Sequence, residues 1–287
     1  MSQLGFEGMP RRLYACTPSR LATWLDCPRR YRMAYLDRPR PPKGPPWAHN
    51  SLGASVHSAL AGWWRLPVHR RTPEAAARLL DEGWLTDGYA DDQQSGQARE
   101  RARAMVERYA AELDPYDEPV GVERVVSTRT EALALSGRVD RLDDRGGELV
   151  VVDYKTGRHA LTVDDARASM ALALYAVCSE RVLRRPCRRV ELHHLSTGEV
   201  LSWEHGEPGL RRQLGRAEDI GREAAAADEA YREGLSEERM DEVFPARPGP
   251  QCHWCDFAQH CPEGRTRYPT KAPWDGLAEA RHQPAGA

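Results

Sequence analysis

The sequence predicts an α/β fold in which one central sheet is flanked by helices, and three observations point there. Apolar residues recur at helical spacing through the first part of the chain, as in Leu52, Val56, Ala59, Leu60 and Trp63. After the breaker Asp114-Pro115 the period shortens to two, and runs rich in Val and Leu appear. Helical spacing then returns, and a group of cysteines follows it.

Taken in order, Thr17-Pro18-Ser19 reads as a helix start, with Thr17 as cap and Pro18 in the first helical position. Cys27-Pro28 ends that helix and begins another, which carries Tyr31 and Tyr35 among arginines. The run RPRPPKGPP over 38–46 cannot continue a helix. Helices are expected over 52–66, 73–84 and 97–113, with a polar loop at 91–96. Strands are expected over 120–127, 132–142 and 148–154, the last two joined by a turn at 143–147. A helix over 163–182 follows, then a hairpin (190–195 and 199–203) turning at Thr197-Gly198. An alanine-rich polar helix covers 209–233. This makes a single domain over 17–265 with a helical insertion at about 67–115, an extension at 1–16 and a flexible tail at 266–287.

The net charge is −2, so any surface for nucleic acid must be a local patch rather than a global excess of cations. No run approaches the ~20 apolar residues of a membrane span. The start has no apolar stretch of a secretory signal, so a cytoplasmic protein is expected. The seven cysteines, an odd number, argue against a disulfide framework in that compartment.

Two constellations carry chemistry. The first lies on adjacent strands: Gly137-Arg138-Val139-Asp140, then Val150-Val151-Val152-Asp153-Tyr154-Lys155. Residues two apart on a strand share a face, so Asp153 and Lys155 project together, and pairing through the short turn brings Asp140 beside Asp153. Two carboxylates and the Tyr154 carbonyl suit a hard cation such as Mg²⁺, while Lys155 can orient or deprotonate an attacking water. The alternative is an exposed salt bridge of little energetic weight. Against it, the valine run is apolar on both faces, which marks a buried strand, and a charged pair at its end is costly without a purpose. The second constellation is Cys252, Cys255 and Cys261, spaced C-x2-C-x5-C. It can hold zinc with His253 or His260 as fourth ligand, or a metal group completed by a distant cysteine.

These residues resemble a known family. GRVDRLDD followed by VVDYKTG is similar to the RecB-type branch of the PD-(D/E)XK nucleases, over about residues 17–265. The resemblance implies a restriction-endonuclease-like core, a metal-dependent hydrolase of DNA phosphodiesters, and Mg²⁺ or Mn²⁺ held by His57, Asp140, Asp153 and the Tyr154 carbonyl. It makes Asp140, Asp153 and Lys155 catalytic. His57 matches the family's helical histidine, with Gly53 four positions before it; imidazole favours Mn²⁺ over Mg²⁺. Glu123 stands where the family often carries a glutamate on an early strand, and a solvent-facing residue is the equal alternative. The family's Gln-x-x-x-Tyr is Ala171…Tyr175 here, so the tyrosine is kept and the glutamine is not.

Cys27, in LDCPRRY, matches the family's N-terminal cysteine-proline, and the other three match its C-terminal C-x2-C-D-(F/Y)-x3-C. The implied cofactor is a [4Fe–4S] cluster on Cys27, Cys252, Cys255 and Cys261, forming an iron–sulfur knuckle that ties the two ends of the domain. Tyr175, Arg138, Arg141 and Arg158 are expected at the substrate, and Arg29, Arg30 and Arg32 with Tyr31 and Tyr35 form a second possible contact with unpaired bases. The expected partner is DNA, single-stranded or at ends, preferably attacked as by an exonuclease in repair, recombination or foreign-DNA processing. No phosphate-binding glycine loop is present, so unwinding would come from a helicase or recombination partner. The alternative class is a non-catalytic DNA-binding or scaffold subunit of a helicase–nuclease complex.

Overall fold

The computed structural model describes residues 13–277, so the outer parts of the expected extension and tail (1–12 and 278–287) lie outside the described residues. In chain order the elements are β1 (Tyr14–Cys16), α1 (Pro18–Asp26), α2 (Pro28–Tyr35), α3 (Ala48–Arg65), α4 (Pro73–Glu82), α5 (Asp92–Ala111), β2 (Gly121–Arg129), β3 (Leu133–Arg145) and β4 (Glu148–Lys155). They continue with α6 (Val163–Ala168), α7 (Met170–Leu183), β5 (Arg189–His194), β6 (Glu199–Glu204), α8 (Glu207–Glu233), α9 (Glu237–Val243) and α10 (Pro262–Arg267).

The strands form one mixed sheet in the order β1-β3-β4-β5-β6, with β2 also on β3. β1 lies parallel to β3 and β4 parallel to β5; the other pairs are antiparallel. Successive residues of β4 feed opposite cores, which explains its unbroken apolar run. Leu149 and Val151 join α1, α7 and α8 on one face, whereas Val150, Val152 and Tyr154 join α3, α4 and α5 on the other. Each such side chain contributes about 1.5–3 kcal/mol on burial. The α4–α5 pair lies within the stretch expected as a helical insertion and packs on α3.

The paired strands β2 and β3 change face at one point. Val122 packs with the α3 core and Val126 with the α7 core, although an even spacing should keep them together. On β3, Val139 and Leu142 share the α7 core although their spacing is odd. The two slips meet where Glu123 and Asp140 stand opposite each other, between the pairs Val122–Arg141 and Arg124–Val139.

Several boundaries differ from expectation. The stretch 91–96 is not a loop: α5 begins at Asp92, because the Asp91 carboxylate caps it by accepting the Gln94 N–H at 2.7 Å. β3 runs on to Arg145, and the turn narrows to Gly146 and Gly147, both at positive φ. The single helix over 163–182 is two, broken at Ser169, whose hydroxyl caps α7. β1 was not foreseen, being only three residues long. Part of the expected flexible tail is tied down: Pro273 accepts the Ala48 N–H, and Lys271 donates to His253. No described helix is long and apolar enough to cross a membrane.

Candidate active site and cysteine site

β4 ends at the site. Its Tyr154 N–H donates to Asp140 Oδ2 at 2.9 Å, so the β3 carboxylate is fixed by the backbone of its neighbour. His57, on α3, reaches both: Nδ1 lies 3.3 Å from Asp140 Oδ1, and Nε2 lies 3.2 Å from the Tyr154 carbonyl. Gly53, one turn earlier on α3, faces Thr156 just beyond β4. Glu123 completes a group in which one ligand atom each of His57, Glu123 and Asp140 lies within 4.8 Å of the others. Its backbone sits at φ 49°, a left-handed conformation unusual for glutamate within a strand. The functional signal available in the sequence was the interrupted alternation at Asp140-Arg141, which marks the face change.

Asp153 and Lys155 form an ion pair of 2.6 Å beside this group. Burial, reinforced by Asp140, raises the Asp153 pKa despite Lys155. Burial opposes a proton on His57, yet Asp140, Asp153 and Glu123 together raise its pKa. Three carboxylates around one imidazole concentrate negative charge that a divalent cation would neutralise. The donor set, one imidazole, carboxylates and a backbone carbonyl, fits Mn²⁺ or Mg²⁺.

Tyr175 lies over Gly137, where a Cβ would collide with the phenol ring. Burial and the nearby Asp153 and Asp140 carboxylates push its pKa up to about 12, so the hydroxyl remains a donor at neutral pH. Ala171 stands one helical turn before it, half-buried. Arg138 is exposed and pairs with Glu123 at 2.8 Å. Arg158 is also exposed and donates to the Gly276 carbonyl at 3.2 Å.

Arg141 does not sit where a substrate can meet it. Only 3% exposed, it lies under the sheet against Asp143, Tyr109 and Trp64. The face change at Asp140 turned it inward. Of the α2 tyrosines, Tyr31 is no stacking platform: it is fully buried and donates to Asp228 at 2.8 Å, while Tyr35 is half-buried against it. Arg29 is taken up by Asp241 and Glu263, and Arg32 by Asp37.

Cys27, Cys252, Cys255 and Cys261 line one cavity between α2 and the C-terminal segment. Gly264 keeps it open, since a Cβ there would stand 3.3 Å from Cys252 Sγ and 3.4 Å from Cys261 Sγ. Burial raises the Cys255 pKa, and Cys252 and Cys27 add to the effect. Cys16, Cys178 and Cys187 lie apart from this site as buried thiols.

Carboxylates, an imidazole and a lysine are thus gathered at the end of a buried central strand of a mixed α/β sheet, where His57, Glu123 and Asp140 could hold a metal ion. The chain belongs to the PD-(D/E)XK nuclease superfamily, which it matches over residues 15–262. No curated protein matches it. A solved chain from Eubacterium rectale, described as a candidate exonuclease, is 10% identical, with a TM-score of 0.53 over 91% of this chain and 92% of that one. At that identity the likeness is one of fold. A second solved chain, SSO0001, is 12% identical, with a TM-score of 0.38 over 88% of each chain.

Proposed function

We propose that this chain is a metal-dependent deoxyribonuclease that hydrolyses phosphodiester bonds, preferentially at single-stranded ends. The observation that carries the reading is the His57–Glu123–Asp140 group within 4.8 Å, set beside the Asp153–Lys155 pair. A Mg²⁺ or Mn²⁺ ion bound there would supply Lewis-acid polarisation of a phosphoryl oxygen. His57, Asp140, Glu123, Asp153 and the Tyr154 carbonyl would hold it.

The chain's own groups do the rest. Lys155, half-exposed and anchored by Asp153, orients the attacking water in line with the scissile bond and offsets negative charge as the phosphorus becomes five-coordinate. Tyr175 donates a hydrogen bond to a phosphate oxygen, and Arg138 and Arg158 attract the flanking backbone. The superfamily makes DNA the natural substrate, and the description of the Eubacterium rectale chain supports the exonuclease mode. A cytoplasmic role in repair, recombination or foreign-DNA processing, beside a helicase, accords with the lack of a nucleotide-binding loop.

The cysteine cavity supports a [4Fe–4S] cluster on Cys27, Cys252, Cys255 and Cys261, because four thiols converge where Gly264 leaves room. Such a cluster would join residues far apart in sequence and couple folding to ligation.

The test incubates labelled single-stranded DNA with Mn²⁺ and compares wild type with Lys155→Ala. We expect a loss of at least ~100-fold in rate, the scale of one positioned charge. Equal degradation by both proteins overturns the mechanism. No degradation by wild type favours the scaffold reading, for which Ala171 in place of the family's glutamine speaks. Anaerobic purification tests the cluster: a brown protein absorbing near 400 nm supports iron, and a colourless one with stoichiometric zinc overturns it.

A further inference from the structure

α3 has an uncapped start. Its N-cap residue, Trp47, offers no side-chain acceptor to the first turn, and the proline-rich run before it cannot extend the helix. One first-turn N–H, and the residues just before the helix, find partners near the other end of the chain. The Ala48 N–H donates to the Pro273 carbonyl at 3.1 Å. Trp47 Nε1 donates to Asp256 Oδ1 at 2.9 Å, while Lys43 pairs with Asp256 Oδ2 at 3.0 Å. The Gly44 N–H donates to the Asp256 carbonyl at 2.7 Å. Trp254 packs edge-on against both Trp47 and His49.

Asp256 follows Cys255 directly, and Trp254 precedes it. The cysteine segment therefore clamps the first turn of α3. His57 lies nine residues further along the same unbroken helix, about 13 Å at 1.5 Å per residue. Between them Gly53 passes Thr156 closely enough that a Cβ would stand 3.5 Å from its Oγ1. The buried Leu60, Trp63 and Trp64 hold the far end of the helix. A helix fixed at both ends sets where His57 meets Asp140.

We infer that Asp256 and Trp47 are positioning residues for the metal site, through which the cysteine segment sets the place of His57 from the opposite side of α3. The inference rests on the metal site proposed above. It also gives the aspartate of the C-x2-C-D run a task that neither thiol ligation nor catalysis supplies.

The experiment measures Mn²⁺ binding by electron paramagnetic resonance on the full chain purified anaerobically, with iron content and circular dichroism in parallel. The proteins are wild type, Trp47→Phe, Asp256→Ala, the double variant Trp47→Phe/Asp256→Ala, Asp256→Asn and His57→Ala. Trp47→Phe keeps an aromatic ring on the Trp254 side but removes the N–H together with part of the buried indole, so rescue by Asp256→Asn, which leaves Trp47 intact, is what isolates the hydrogen bond. Asp256→Asn retains an acceptor for it. We expect Trp47→Phe and Asp256→Ala each to raise the Mn²⁺ dissociation constant roughly tenfold, the low end for outer partners of a metal ligand. The double variant should lose no more than either alone, and Asp256→Asn should recover most of the loss, at unchanged iron content and helicity. Mn²⁺ binding that depends on His57 but not on Trp47 or Asp256 overturns the inference alone. A wild type that binds no Mn²⁺ overturns the metal-site reading and this inference with it. If Asp256→Ala loses its iron or its helicity, Trp47→Phe decides.

Discussion

Glu123 and Asp140 face each other at the point where β2 and β3 exchange cores, and Glu123 adopts φ 49° to do so. Backbone strain at such a position costs about 1–3 kcal/mol in a non-glycine residue.

Replacing Glu123 should separate strain from ligation. Glu123→Ala keeps the cost of the left-handed backbone and removes the carboxylate, whereas Glu123→Gly removes both the cost and the carboxylate. Glycine relieves the strain but loses more entropy on folding, by about 0.5–1 kcal/mol. The expected outcome is that Glu123→Gly is more stable than Glu123→Ala by about 1 kcal/mol, the strain relieved less the entropy that glycine loses. Both should bind Mn²⁺ roughly tenfold more weakly. Thermal melts and Mn²⁺ titration check this, and a Glu123→Gly variant less stable than Glu123→Ala would show that the backbone carries no strain.

Gly137 and Tyr175 give a second prediction. The missing Cβ of Gly137 is what lets the phenol lie on β3 beside the carboxylates. Gly137→Ala should destabilise the fold by about 1–3 kcal/mol through overpacking. It should also slow DNA cleavage, since Tyr175 is pushed from the site. Adding Tyr175→Ala should restore the stability and leave the activity low. A double-mutant cycle reads the coupling, and additive effects would refute the contact as the cause.

A third prediction concerns Glu191, which is fully buried on β5 and bound by Arg145, Arg189 and His193. Burial opposes its ionisation, but His193 and Arg145 hold its pKa at about 2, below the ordinary 4.5. A carboxylate with a depressed folded-state pKa stabilises fully above its unfolded value and loses that contribution as pH falls. The stabilisation should therefore be complete above about pH 4.5 and fade toward pH 2. Glu191→Gln should cost about 1–3 kcal/mol at neutral pH. It should also flatten the urea-derived stability curve across that window, and a slope equal to wild type would dismiss Glu191 as its source.

The periodicity of the chain was sufficient for the mixed sheet, since a run apolar at every position, as in Val150 to Val152, must be covered on both faces. It also located Asp140, Asp153 and Lys155, because strand alternation and a short turn leave few ways to arrange them. The outcome for Arg141 differed because alternation is interrupted where Glu123 and Asp140 meet, and a one-residue slip sends a side chain to the opposite face. The outcome for Tyr31 differed for a related reason: Arg20, Tyr14 and Asp228 satisfy it from other elements.

The residue spacing by itself singled out Asp140, Asp153 and Lys155 on neighbouring strands and the C-terminal triplet Cys252, Cys255 and Cys261, whereas His57 and Cys27 were picked out by the resemblance to the nuclease family. Local sequence could do this because periods of two and of 3.6 residues act over a few positions. Tertiary structure alone decided that Glu123 joins His57 and Asp140, that Arg141 turns inward, and that Asp256 clamps the start of α3. Each of those depends on contacts between residues far apart in the chain, whose formation is governed by packing and burial rather than by any local period.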